Sequence, residues 1–127
     1  MIGVFLLTHS SLGEALIQCA SHVLNARPAH VVQLGVTGQD DPLDLLPLAL
    51  RLRALVDTGS GVLILTDIYG ATPANIAMKL RVRGRCEVVA GVNLPMLLRV
   101  LTYRERDMDV LVQRAVSGGC EGVIHIK

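Results

Sequence analysis

The sequence contains few aromatic residues: among its 127 residues there are one Phe, two Tyr and no Trp. Sites that stack nucleic-acid bases or sugar rings use aromatic side chains as platforms, so this composition disfavours them. The chain also has no excess of charge, because 12 Lys and Arg nearly balance 11 Asp and Glu. The basic surface of a dedicated nucleic-acid-binding protein is therefore not expected.

Cysteines and long apolar runs are scarce as well. Cys19, Cys86 and Cys120 lie far apart and form no Cys-x-x-Cys pair, which disfavours a disulfide framework or a zinc site. No apolar run approaches the roughly 20 residues of a membrane-spanning helix, and the apolar start at Ile2–Leu7 has no basic leader. The sequence predicts a cytoplasmic protein without membrane insertion, bound metal or cofactor.

The sequence also lacks three common nucleotide-binding or catalytic motifs. The run that ends at Asp67 is similar to a Walker-B strand, but no Gly-x-x-x-x-Gly-Lys loop exists to hold nucleotide phosphates. No Gly-x-Gly-x-x-Gly follows the first apolar run, and there is no Gly-x-Ser-x-Gly elbow. A nucleotide site and a hydrolase triad are therefore not supported.

What the chain does contain is an alternation of short apolar runs with segments of helical periodicity. Strands are predicted at about 2–7, 30–36, 62–65, 86–90 and 123–126. This alternation is typical of βαβ units, in which a mostly parallel sheet is covered by helices on both faces. The length fits one domain, residues 1–127, of the α/β class.

Capping residues and prolines predict where the helices begin and end. The spacing of Ser11 and Glu14 is that of a capping box, and Asp41 precedes a proline at the start of a second helix. Pro47 predicts a kink or restart in that second helix. The remaining predicted boundaries are a helix from Pro73 to Gly84, a helix start at Asn93-Leu94-Pro95, and a last helix from about Asp109 to Gly118-Gly119.

Two acid–base side chains follow predicted strands directly. In open parallel sheets, ligands bind beyond the carboxyl ends of the strands, and His9 and Asp67 lie at such ends. A carboxylate that accepts a hydrogen bond from one imidazole nitrogen leaves the other nitrogen as a nucleophile or base. The alternative is that His9 is a loop histidine with a local partner and Asp67 only a turn or capping residue. His22, His30 and His125 have no comparable carboxylate and are interpreted as structural or exposed.

The helix predicted to start at Pro73 would supply donors for an anion. Its first-turn N–H groups and its dipole favour a phosphoryl group, and Thr72 either caps this helix or donates its hydroxyl to the phosphate. The basic cluster of Lys79, Arg81, Arg83 and Arg85 is interpreted as a solvated helix end, with docking as a minority alternative.

Three ordered segments together resemble the enzyme IIA component of the mannose family of the bacterial phosphoenolpyruvate:sugar phosphotransferase system. The resemblance covers essentially the whole chain. The matching segments are Thr8-His9, Asp67-x-x-Gly70-x-Thr72-Pro73-x-Asn75 and Gly91-Val92-Asn93-Leu94-Pro95-Met96.

This resemblance implies a phosphotransferase that carries a phosphoryl group on His9. The phosphoryl group would come from the phosphocarrier HPr and pass to a IIB partner, while Asp67 orients and charge-balances the imidazole. The predicted phosphoryl-binding residues are Ser10, Thr72, Ala74 and Asn75. The resemblance further implies strand order 2-1-3-4 and a homodimer that exchanges an antiparallel C-terminal strand.

The chain departs from the family pattern at three positions. Ser10 stands where Gly is usual, Ala71 replaces the second Gly of a pair, and Ala74 replaces a bulky apolar residue. These changes concern partner specificity more than phosphorylation. The chain ends at Lys127 without a IIB domain, so the acceptor is expected to be a separate protein.

Three other functions stay open at this point. The first is a regulatory module in which phosphorylation of His9 switches protein binding. The second is the phosphotransfer subunit of a dihydroxyacetone kinase, which resembles the same fold. The third is a small ligand-binding domain in which His9 and Asp67 only hydrogen-bond each other.

Overall fold

The computed structural model describes residues 1–127, which form four strands and five helices. In chain order the elements are β1 (Gly3–His9), α1 (Leu12–Leu24), β2 (Val31–Val36), α2 (Pro42–Val56), β3 (Val62–Thr66), α3 (Thr72–Leu80), β4 (Cys86–Ala90), α4 (Leu94–Tyr103) and α5 (Met108–Glu121). None of the helices is long and apolar enough to cross a membrane.

The four strands form one parallel sheet in the order β2-β1-β3-β4, as predicted. The chain winds first to one side of β1 and then to the other, so β1 and β3 are neighbours at the point where the winding reverses. His9 is the last residue of β1 and pairs with Val36, whereas Leu7 pairs with Thr66. The carboxyl ends of β1 and β3 therefore lie side by side.

A separate apolar core lies on each face of the sheet. Val4, Leu6, Leu63 and Leu65 pack on one face against α1, α4 and α5. The alternate strand residues pack on the other face against α2 and α3. Because every strand is covered on both faces, β1 and β3 are continuous apolar runs and not alternating ones.

The predicted capping box at the start of α1 is wrong. The side chain of Ser11 makes no capping hydrogen bond, and Glu14 instead accepts two hydrogen bonds from Arg27 at 2.9 and 3.1 Å. The N–H of Gly13 donates to the buried hydroxyl of Thr8 at 2.8 Å. The first turn of α1 therefore donates to the Thr8 side chain on β1, and not to the Ser11 side chain that the capping motif predicted.

Two predicted helix ends are not observed. α2 runs through Pro47 without a restart, and the helical hydrogen bond that this proline cannot make is the one to the carbonyl of Leu43, a residue that is well exposed to water. α5 runs through Gly118 and Gly119 to Glu121. A Cβ on Gly118 would lie 2.8 Å from the Cβ of Arg99, so these glycines allow close packing of α5 on α4.

Helix α3 ends at Leu80, before the predicted Gly84. The basic segment that follows turns back toward β4 and is largely ion-paired. The side chain of Arg81 donates to Glu87 at 2.6 Å, and Arg85 lies 3.6 Å from Asp57. This supports the interpretation of the cluster as a solvated helix end, at the sheet edge opposite His9.

The predicted terminal strand at residues 123–126 is absent from the single chain. This segment follows α5, has no regular hydrogen-bonding pattern and pairs with no strand of its own sheet. Val123, Ile124 and Ile126 are 77%, 72% and 87% exposed. A strand here would need an edge from outside the chain.

A buried arginine joins three chain segments at the amino-terminal edge of the sheet. The guanidinium of Arg104, which is only 5% exposed as a residue, donates to the backbone carbonyls of Ile2, Ala29 and His30 at 3.0, 2.6 and 2.6 Å. Burial lowers the pKa of Arg104. Three different nitrogens of the planar guanidinium each reach one carbonyl, whereas the three donors of an ammonium all radiate from one nitrogen.

Arg104→Lys should lower the free energy of unfolding by about 2–3 kcal/mol, because buried carbonyls lose their donors. Chemical denaturation monitored by circular dichroism measures this. Arg106→Lys, in the following turn, is the matched control and should change stability by less than about 0.5 kcal/mol. Equal stability of the two variants would show that the three contacts do not support the fold.

Candidate functional site

The structure brings His9 and Asp67 together at the carboxyl edge of the sheet. Nδ1 of His9 lies 2.8 Å from Oδ2 of Asp67. The histidine side chain is 48% exposed, whereas that of Asp67 is only 12% exposed. The carboxylate is thus held inside the site, and the outer edge of the imidazole faces solvent.

Asp67 is held by three donors, two from His9 at the end of β1 and one from the loop that follows β3. Its Oδ2 also accepts the backbone N–H of His9 at 2.9 Å, and its Oδ1 accepts the N–H of Ile68 at 3.1 Å. Burial alone raises the pKa of Asp67, but the backbone and ring hydrogen bonds from His9 outweigh it and leave the pKa below its usual range. The carboxylate is therefore ionised at neutral pH.

An ionised carboxylate can only accept hydrogen bonds, so the proton of the His9–Asp67 bond belongs to Nδ1. In the neutral ring this leaves Nε2 with a free lone pair at the exposed edge. The arrangement suits attack by Nε2 on an electrophile, because the carboxylate stabilises the positive charge that develops on the ring.

Helix α3 begins beside this pair and has free N–H donors. Its N-cap is Ala71, so the alternative in which Thr72 caps the helix is wrong. The backbone N–H groups of Thr72 and Ala74 donate to no acceptor in the chain, whereas that of Asn75 bonds to the carbonyl of Ala71 at 3.0 Å. The side chains of Thr72 and Asn75 make no hydrogen bonds either. Such a helix terminus favours anions.

Ser10 adopts a left-handed backbone conformation directly after His9, with φ 49°. Its N–H donates to the carbonyl of Val36 at 2.8 Å, and a Cβ at Gly35 would lie 2.0 Å from the Ser10 carbonyl oxygen. The turn is thus packed tightly against β2 and turns the exposed Ser10 hydroxyl outward, without a partner. This backbone conformation explains why a glycine would suit the position.

Sequence reasoning missed Thr66, a buried polar residue next to the site. It is fully buried at the end of β3, and its hydroxyl has no hydrogen-bond partner. The sequence feature that could have identified Thr66 is a hydroxyl-bearing residue at the end of an otherwise apolar strand. The other histidines lie outside the site, and no group of three potential metal ligands exists in the chain.

The fold and the site define a class of proteins: open parallel α/β domains that hold a half-exposed histidine on a buried carboxylate at the carboxyl edge of the sheet. The family profile EIIA-man, described as the PTS system fructose IIA component, matches residues 3–115. The chain belongs to this family, the mannose-type IIA components of the sugar phosphotransferase system.

Two relatives illustrate the range of the family. The mannose-specific EIIAB component of Escherichia coli (strain K12) is 34% identical over 129 residues, which is 99% of this chain. The match covers 40% of that relative, so this chain spans about two fifths of its length. The fructose-specific EIIA component of Bacillus subtilis (strain 168) is 51% identical over 45 residues, 35% of this chain and 31% of the relative.

Solved structures show the same fold. The mannose/sorbose specific IIA subunit from Enterococcus faecalis has a TM-score of 0.87 at 21% identity, covering 99% of this chain and 95% of that one. At this identity the likeness concerns the fold alone.

Asp67→Asn should lower stability at neutral pH by about 1–2 kcal/mol, because charge-assisted hydrogen bonds are lost. The folded pKa of Asp67 lies below its unfolded value of about 3.9, so the carboxylate stabilises the fold above that value. The contribution disappears as pH falls through the folded pKa.

Urea denaturation of both proteins between pH 7 and pH 3 measures the difference. It should be constant down to about pH 5 and shrink at the acid end. Asp109→Asn, at an exposed carboxylate on α5, is a control for a general charge effect. A stability difference that stays constant to pH 3 would contradict the assigned role of the ionised carboxylate.

Proposed function

We propose that this protein is a phosphocarrier that accepts a phosphoryl group on Nε2 of His9 from an HPr-type phosphocarrier. It then passes the group to a IIB component of a sugar phosphotransferase system. The observation that carries this proposal is the 2.8 Å contact between Nδ1 of His9 and Asp67, which leaves Nε2 free at the exposed edge of the ring. Family membership supports the same chemistry.

The transfer needs no group beyond those of the two proteins. The lone pair of Nε2 forms the new P–N bond, while the P–N bond of the donor breaks and its electrons return to the donor imidazole. The proton on Nδ1 stays in place throughout. The negative charge of Asp67 stabilises the ring as it becomes cationic, and this stabilisation grows toward the transition state.

The phosphoryl oxygens would be bound by the start of α3 and the turn after β1. Candidate donors are the free backbone N–H groups of Thr72 and Ala74, the Asn75 amide, and the hydroxyls of Thr72 and Ser10. The loops that follow the four strands contain no Lys or Arg. Dipoles and hydrogen bonds, and not a cationic side chain of these loops, would therefore stabilise the bound group.

His9→Ala should abolish phosphorylation, because no other side chain presents a nucleophile on a carboxylate at this edge. The protein is incubated with phosphoenolpyruvate, enzyme I and HPr, and its intact mass is measured under neutral conditions. The wild type and the control His22→Ala should each gain one phosphoryl group. An unmodified wild type, or a phosphorylated His9→Ala variant, would overturn the proposal.

We further propose that the protein forms a homodimer in which residues Val123–Ile126 of each copy add a strand to the other. Two observations support this: the segment is apolar and exposed, and β4 is an edge strand with one unpaired side. An exposed edge strand next to an apolar extended segment favours pairing between copies.

A chain that stops after Gly122 should therefore be monomeric, because the exchanged strand is missing. Light scattering after size-exclusion chromatography measures the molar mass of both forms. The substitution Lys127→Ala, which leaves the segment intact, should stay dimeric. A monomeric full-length chain at micromolar concentration, or a dimeric truncated chain, would contradict the exchange.

A further inference from the structure

Helix α2 is apolar on its outer side as well as on its inner side. The inner side packs on the sheet through Ala49 and Val56, which are buried. On the outer side, Leu43, Leu50 and Leu55 are 69%, 40% and 72% exposed. A helix that is apolar all round is usually covered all round, so the single chain leaves the outer side of α2 without the contact that its composition indicates.

The exposed leucines form one strip along the helix. Residues three, four and seven positions apart share a face, so the outward-facing side chains of α2 follow each other over about three turns. We call this surface the α2 strip, which comprises Leu43, Asp44, Leu48, Leu50, Arg51 and Leu55. Four of these six side chains are apolar, as in a surface that another protein covers.

Two charged residues of opposite sign lie along the middle of the α2 strip. Asp44 and Arg51 are exposed and seven residues apart in the helix, so they lie about two turns apart on the same face. Neither forms an ion pair within the chain. Because the two charges cancel, the strip has no net charge that would attract an anionic membrane or a strongly charged protein.

This arrangement of charges is complementary to itself. When two copies of α2 pack antiparallel about a two-fold axis near positions 47 and 48, position 44 of each copy faces position 51 of the other. Each Asp44 then meets the Arg51 of the other copy, and the symmetry repeats the contact, as in an isologous interface. The leucines of both strips flank the two ion pairs, and the antiparallel helix dipoles attract each other. The charge pattern therefore favours a second copy of this chain as the occupant.

The α2 strip lies apart from the edge at which the strand exchange is proposed. α2 packs on β1, β2 and α3, whereas the exchanged segment would join β4 at the opposite edge of the sheet. In an antiparallel pair of α2 helices, the carboxyl edges of the two sheets point in opposite directions. The two His9 sites then lie at opposite ends of the pair, so one copy can use both surfaces at once.

We propose that the α2 strip is a self-association surface and that its occupant is the α2 strip of a second copy. The contact is small, because the 15 residues of α2 span about 22 Å and a helix is about 10 Å wide. It therefore buries less than the roughly 1,200 Å² of a stable interface, and its dissociation constant is expected at about 0.1 mM and not in the micromolar range. Rising protein concentration would join strand-exchanged dimers into larger assemblies.

Sedimentation equilibrium of the full chain measures this association between about 5 and 500 µM, a range that includes the expected dissociation constant. The mass at the low end records any strand exchange, and toward the high end it should rise by about 1.5-fold or more. Leu43→Gln, at a well-exposed position of the strip, should remove the rise. Val23→Gln is the matched control, because Val23 is 58% exposed on α1, outside the strip.

Charge reversal distinguishes the proposed pairing from unspecific apolar contact. Asp44→Arg or Arg51→Asp alone places like charges opposite each other, so the association constant should fall about tenfold or more. The double variant should associate like the wild type. A one-to-one mixture of the two single variants should also associate, because each then offers the other charges of opposite sign. All variants should unfold at the same urea concentration, since both side chains are exposed and unpaired.

Several results would overturn the proposal. The first is a wild-type mass that stays constant up to the highest concentration, and the second is a rise that survives Leu43→Gln or either single charge reversal. A mixture of the single variants that fails to associate would exclude the antiparallel pairing. Binding of the wild type to phosphatidylglycerol vesicles that Leu43→Gln abolishes, without a rise in mass, would instead identify a membrane-facing helix. His9→Ala should associate like the wild type, so these results do not depend on phosphorylation.

Discussion

The site depends on one carboxylate that joins two strands. Asp67 Oδ2 accepts both the backbone N–H and the ring N–H of His9, so a single oxygen holds the end of β1 and the orientation of the imidazole. Oδ1 is held by the N–H of Ile68. Because Asp67 directly follows β3 and two of its donors belong to His9 at the end of β1, it can act only in a sheet whose first and third strands are adjacent. The contact between His9 and Asp67 therefore requires the observed strand order.

The adjacency of β1 and β3 explains how so small a domain can form the site. Reversal of the winding at β1 leaves a crevice beyond the strand ends, and α3 starts beside it with free N–H donors. The tight approach of Gly35 to the Ser10 carbonyl packs the turn after His9 against β2. The domain therefore has no need of a deep substrate cavity at His9, because the proposed substrate is the surface of another protein.

Local patterns predicted the elements better than their ends. β4 was predicted at its observed bounds, and the His9–Asp67 pair followed from strand ends and the adjacency that the family resemblance implied. The start of α1 after Ser11 was predicted, but its capping hydrogen bond was not, because the acceptor, Thr8, lies on a different element. The glycines in α5 were interpreted as a stop, although they allow contact with Arg99 on α4.

Features made by several distant segments left no trace in the sequence pattern. A pocket between α3 and β4 exists because Ala74 on the helix meets Val88 and Ala90 on the strand. The carbonyls bound by Arg104 likewise belong to two segments, at Ile2 and at Ala29–His30, that are both far from Arg104 in the chain. The periodicity of apolar residues describes side chains within about two turns of one helix or within one strand. It therefore cannot predict contacts between residues of different elements.

The hydrogen bonds of Arg104 have a consequence for the proposed phosphoryl transfer. Arg104 holds the start of β1 and Asp67 holds its end, so the strand that bears His9 is tied down at both ends. A strand held at both ends changes its position little, so the phosphorylated and free proteins should have the same backbone conformation. What changes is the electric field, since a phosphoryl group adds about 1.5–2 negative charges at an edge that is already acidic. Partners would then distinguish the two forms by attraction over several ångströms and not by a change of conformation.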